Sequence, residues 1–195
     1  MSDNKLNPFQ ERIVMVAELA VAQFLTEWKK SPYRWLQEID VQTDLSERIK
    51  RVISCVFAGS EIEHALTLMA PISNAIGGDS SPQTVSRITC EPSMNPAAGK
   101  DLAKPDIVIW DDGIPAGGFL NDGRWPVIWA CEIKYKTNYL DTSDYDRLES
   151  LVNGNPPLAK RAHLLSLCWW ESVPNPFKNE HPDLITATLG IPSLK

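Results

Sequence analysis

The chain has 195 residues, 43% hydrophobic and 23% charged, with a net charge of −6. That composition is globular and excludes a disordered chain, and the length suits one well-cored domain. The negative charge counts against a protein that grips nucleic acid through a basic surface, since such proteins draw affinity from counterion release. No apolar stretch reaches the length of a membrane span, and MSDNKLNPFQER lacks the basic start and apolar centre of a signal peptide. Cys55, Cys90, Cys131 and Cys168 are scattered, with no CxxC pair. Neither a zinc knuckle nor a disulfide framework is indicated, and a cytoplasmic protein with reduced thiols is the expectation.

Asn7-Pro8 reads as a helix start, with Asn as cap and Pro in the first turn. Ile13, Val16, Ala17, Ala20, Val21, Phe24, Leu25 and Trp28 then recur at helical spacing up to Lys29-Lys30, and Ser31-Pro32 stops the run. Tyr33 to Ile39 is expected to be a short helix or irregular link. Asp44-Leu45-Ser46-Glu47 predicts the next helix start, with Asp44 as an acidic cap and Glu47 three residues on. Its buried stripe would run through Leu45, Ile49, Val52, Ile53, Val56 and Phe57 to Gly59. A short helix over Glu61 to Met69 is expected next, broken by Pro71, and then an exposed turn-rich loop from Asn74 to Pro82. Thr84 to Glu91 reads as a first strand, followed by a long loop to Pro105. Lys100 and Lys104 in that loop have two readings, contacts for phosphate or, as is commoner for an exposed lysine, plain solvated charges.

The stretch from Lys104 to Lys136 reads as two apolar strands, Asp106 to Trp110 and Pro126 to Tyr135, joined by a Gly- and Pro-bearing loop. Side chains alternate along a strand, so Val127, Trp129, Cys131 and Ile133 share one face and Ile128, Ala130, Glu132 and Lys134 the other. Asp106 shares a face with Val108 and Trp110. If the strands are neighbours, Asp106 comes close to Glu132 and Lys134. Two carboxylates held together repel, and either protonation or a divalent cation relieves the repulsion. Two readings follow: a same-face ion pair on the solvent side of an ordinary strand, or a buried cluster that needs a partner or a metal.

After the second strand, Thr142 or Ser143 caps a helix to about Val152, stopped by Asn153-Gly154-Asn155-Pro156-Pro157. Ala162 to Trp170 is a continuous apolar run fit for a buried strand. The tail from Val173 onward reads as loop with a short strand or turn.

Pro105-Asp106, a spacer, and then Glu132-Ile133-Lys134 resembles the PD-(D/E)XK superfamily of restriction and repair nucleases, over roughly Leu45 to Trp170. The resemblance implies an α/β fold: a restriction endonuclease-like αβββαβ core with a mixed central sheet flanked by helices, plus an N-terminal helical extension. It divides the single domain into extension (1–40), core (44–170) and C-terminal tail (171–195). It also implies a nuclease using Mg²⁺ or Mn²⁺ on DNA. Asp106 and Glu132 would be the metal-binding acids, the Ile133 backbone carbonyl a further ligand, and Lys134 the catalytic lysine. Glu47 would be the helix acid that completes the site, with Glu61 and Glu63 as alternatives. Arg147 would be the basic residue from the following helix, although Asp144 and Asp146 beside it also suit a surface ion pair. Cutting both strands of a duplex takes two sites, which a homodimer would supply.

A second reading keeps the fold without hydrolysis: a binding module in a defence, phage or mobile-element assembly. The acidic charge and a partner surface built from Trp125, Trp129, Trp169 and Trp170 would favour it, whereas aromatic packing in the core is the alternative use of those residues. No GxSxG, HExxH or phosphate-binding Gly-rich loop points to another hydrolase.

Overall fold

A computed structural model describes residues 5–72, 81–94, 103–113, 120, 123–137, 142–154, 156–168 and 183–190. Lys100, Trp169, Trp170 and most of the expected loop from Asn74 to Pro82 lie outside the described residues.

Helix α1 (Pro8–Lys30) starts on a reciprocal cap: the Gln10 amide N–H donates to Asn7 Oδ1 and the Asn7 N–H to Gln10 Oε1, both at 2.9 Å. Its apolar stripe is buried, with Ile13, Val16, Ala17, Ala20, Phe24 and Trp28 fully covered. It packs with helix α2 (Glu38–Val56) against the sheet residues Ile107, Ile109, Trp129, Cys131 and Ile133. The N-terminal helix is thus a wall of the core rather than an appendage.

Helix α2 begins at Glu38, six residues before the expected cap. Asp40 Oδ2 accepts from the Leu36 and Gln37 N–H groups at 2.9 Å each, which closes the first turn. Asp44 lies inside the helix and binds Arg48 and the Trp35 indole. A short helix α3 (Ser60–Leu66) follows and gives way at Thr67 to a strand, β1 (Thr67–Pro71), which pairs antiparallel with β2 (Pro82–Ser86).

The main sheet has the order β3-β4-β5-β6-β7, from β3 (Ile88–Cys90), β4 (Ile107–Trp110), β5 (Val127–Thr137), β6 (Ala159–Cys168) and β7 (Leu184–Gly190). The pairs β3–β4 and β4–β5 are antiparallel, whereas β5–β6 and β6–β7 are parallel. Helix α4 (Thr142–Asn153) makes the crossover between β5 and β6 that a parallel pair requires. Its Leu148, Leu151 and Val152 cover the face opposite α1 and α2, with Val108, Ala130, Ala162 and Leu164 beneath. The result is a mixed α/β protein with a mixed sheet between two helical layers. No helix among the described residues is long and apolar enough to cross a membrane.

Three further expectations change. The segment 171–195 is not all tail, because β7 is a full member of the sheet. A bulge beside Trp110 pairs that residue with Val127, so Val127 and Ile128 exchange faces and strict alternation begins only at Trp129. The expected strand over Thr84 to Glu91 is two, β2 and β3, broken at Arg87.

Arg87 is fully buried at that break and acts as a clamp. Its guanidinium donates to the carbonyls of His64, Thr67 and Trp110 at 2.9, 3.1 and 2.9 Å, and to Asp112 Oδ1 at 2.6 Å. Arg87→Met would leave these acceptors without their donor, at an expected cost of about 4 kcal/mol. Differential scanning calorimetry should show a fall in Tm of roughly 10 °C; an unchanged Tm would mean that the clamp is dispensable.

Candidate functional site

The register between β4 and β5 pairs Ile107 with Cys131. Continued backwards, it sets Asp106 across from Glu132 and Pro105 across from Ile133. Proline has no N–H, so the Ile133 carbonyl gets no ladder donor from it, and the Ile133 N–H turns to the Asp106 carboxylate. Asp106 Oδ2 accepts from the Ile133 N–H at 2.5 Å, and its Oδ1 accepts from Gln42 Nε2 at 2.5 Å. Within a strand the N–H and C=O of one residue point to the same side. The Ile133 carbonyl therefore faces the gap where β4 ends, with no donor from Pro105. The Pro-Asp pair is thus a device that frees a strand carbonyl beside a buried carboxylate.

Asp106 is 7% exposed. Burial, helped by the nearby Glu38 charge, pushes its carboxyl up to about 6, although the Ile133 and Gln42 hydrogen bonds and Lys134 pull the other way. Glu132 is pushed up to about 7 by burial and by Asp106, and its bond to Lys134 resists the shift. Lys134 Nζ lies 2.9 Å from Glu132 Oε1 and 3.0 Å from Asp144 Oδ2. Burial alone would lower the lysine, but these two partners outweigh it and hold the ammonium above its ordinary range. Asp144, in the first turn of α4, is buried and also accepts from Arg147 at 3.1 Å.

A cavity of about 250 Å³ opens onto the cluster, lined by Lys104, Pro105, Glu132, Asp144 and Arg147 among others. Acidic and basic groups thus meet in one recess.

The sequence-predicted residues divide. Asp106, Glu132, the Ile133 backbone and Lys134 come together where β4 begins beside the middle of β5. Arg147 lines the cavity and pairs with Asp144 at 3.1 Å. Glu47 does not join them: it is exposed on α2 and paired with Lys50 at 2.7 Å. Glu61 is likewise exposed and pairs with Arg12 at 3.2 Å. The α2 acid whose charge is felt at Asp106 is Glu38, which accepts from the Tyr135 N–H at 3.3 Å. Sequence reasoning missed Glu38, Gln42 and Asp144. Once α2 is begun at Glu38, Glu38 and Gln42 fall one turn apart on one helix face, at the polar end of the Leu45/Ile49 stripe. Trp125 and Trp129 are fully buried and contribute nothing to an exposed partner surface.

Among the described residues, no three of His, Cys, Asp and Glu converge as a ready-made metal site. Two carboxylates and a strand carbonyl nevertheless fit Mg²⁺ or Mn²⁺, hard ions that take oxygen ligands and retain waters. A further oxygen stands close by: Gln42 Oε1 is buried and accepts no hydrogen bond among the described residues. The donor chemistry fits a hard divalent ion.

The chain is thus a mixed α/β protein with a buried carboxylate–lysine cluster where the antiparallel part of its sheet ends. Comparison with protein-family models, with curated proteins and with solved structures found no match.

Proposed function

We propose that the chain is a Mg²⁺-dependent nuclease that hydrolyses phosphodiester bonds in DNA, built on a restriction endonuclease-like core of the PD-(D/E)XK kind. One observation carries the reading: Asp106 and the part-buried Glu132, on adjacent strands, feel each other's charge and are both pushed towards neutrality, while Lys134, 2.9 Å from Glu132, stays charged. The order α2-β3-β4-β5-α4-β6, with the antiparallel-to-parallel switch at β5, supports it.

Asp106, Glu132 and the Ile133 carbonyl would hold the ion. When bound, Mg²⁺ supplies polarisation of the scissile phosphate and a lowered pKa for its water. Lys134 keeps its proton and offsets charge developing on the phosphate, while orienting the attacking water. Asp144 also binds the ammonium, at 3.0 Å, so Lys134 keeps one anionic partner when Glu132 serves the ion. Lys104 and Arg147 give the cavity cations for the flanking phosphates.

A non-hydrolysing binding module on the same fold is the alternative. It is favoured by the net charge of −6 and by the clamping of Lys134 between two carboxylates. Supercoiled plasmid separates the two readings. The nuclease nicks or linearises it with Mg²⁺ and not with EDTA, and Lys134→Ala slows that reaction by about a hundredfold or more. The same variant should bind Mn²⁺ nearly as well as the parent. Intact plasmid at all ion concentrations would favour the binding module.

A further inference from the structure

Resting on the nuclease reading, we infer that Gln42 is the positioning residue for Asp106, and that Glu91 holds Gln42 in that role. Asp106 is fixed by donors on both oxygens, one from the Ile133 backbone and one from Gln42 Nε2. Each oxygen keeps a further lone pair for a cation. The second Gln42 Nε2 hydrogen goes to Glu91 Oε1 at 3.3 Å. Two acceptors on one side leave only the NH₂ end of the amide to face them, and this choice orphans the other end.

Two local costs meet here. Gln42 is 2% exposed, and its Oε1 has no hydrogen-bond donor among the described residues. A buried acceptor without a partner is unfavourable. Glu91 has φ 51°, in the left-handed region that disfavours every residue with a Cβ. Glycine would be the ordinary choice for that backbone, yet a glycine could not reach Gln42. Glu91 also closes the ring through its backbone, since its N–H donates to the Asp106 carbonyl at 3.1 Å. An orphaned acceptor and a strained backbone thus both serve the orientation of one carboxylate, a pattern found where geometry matters more than stability.

The test is calorimetric titration of Mn²⁺ alone into the wild type, Gln42→Met, Glu91→Gln and Glu91→Gly, with thermal melting of each in EDTA. Gln42→Met keeps the side-chain bulk and removes the donor, so affinity should fall by about tenfold or more. Glu91→Gly relieves the left-handed strain and should melt at or above the wild-type temperature, yet also bind Mn²⁺ more weakly. Glu91→Gln keeps an acceptor oxygen for Gln42 and should restore wild-type affinity. A merely structural role would move melting temperatures and leave affinities alone. Wild-type affinity in a folded Gln42→Met, or in Glu91→Gly should the methionine variant not fold, overturns the positioning role while the nuclease reading stands. A wild type that binds no Mn²⁺ overturns the nuclease reading itself, and this inference with it.

Discussion

On the nuclease reading, Glu132→Ala should abolish ion-dependent cleavage, slowing it by about a thousandfold or more, because a metal and its activated water contribute several kcal/mol to such a reaction. The fold survives the change. Burial opposes the charge of the part-buried Glu132, so its removal takes away that penalty together with the 2.9 Å contact to Lys134. Lys134 keeps Asp144 as a partner at 3.0 Å, so the variant does not strand a buried cation. Plasmid cleavage and Tm measured on the same preparation check both halves. A folded variant that cuts at the parental rate would remove Glu132 from the site.

In EDTA, the chain loses stability as pH rises from about 4 to about 7. Asp106 goes from its ordinary 3.8 to about 6 in the fold, and Glu132 from 4.5 to about 7. Between these limits the folded state binds more protons than the unfolded one. Their stabilising contribution is therefore complete below the unfolded values and lost as pH climbs through the folded ones. His163 works against this trend. Burial, and then Arg161, lowers it from 6.5 to about 4, so its contribution grows with pH over much of the same window. Two carboxyls against one imidazole leave a net loss of roughly 3 kcal/mol. Mg²⁺ should recover much of it above neutral pH and little at acid pH, since it binds only the ionised carboxylates. Urea melts across the range, with and without the ion, measure both trends. Stability that rises with pH in EDTA would contradict the buried-carboxylate account.

Much of this arrangement is legible in the chain because β4 and β5 are apolar runs interrupted by charge. Asp106, Glu132 and Lys134 stand out where a buried strand has no use for them, and alternation puts Glu132 and Lys134 on one face. The α1 stripe is legible for the same reason, since eight apolar residues at helical spacing leave little choice of face. The α2 start is not, because Asp44 has the sequence signature of a cap, whereas its carboxylate is used by Trp35 and Arg48. Glu38 and Gln42 disappear from view with that error. Asp144 looks like a surface acid until β5 and α4 are brought together and Lys134 reaches it. The bulge at Trp110 and the break at Arg87 depend on partners distant in sequence, and no local pattern carries them. β7 takes its place from its pairing with β6.

The central claim is that Asp106 and Glu132 share a divalent cation. Crystals soaked in Mn²⁺ and measured at the manganese absorption edge test it directly. The account predicts an anomalous peak between the two carboxylates and against the Ile133 carbonyl, lost in Glu132→Ala. A peak elsewhere, or none in this recess at saturating Mn²⁺, would contradict it.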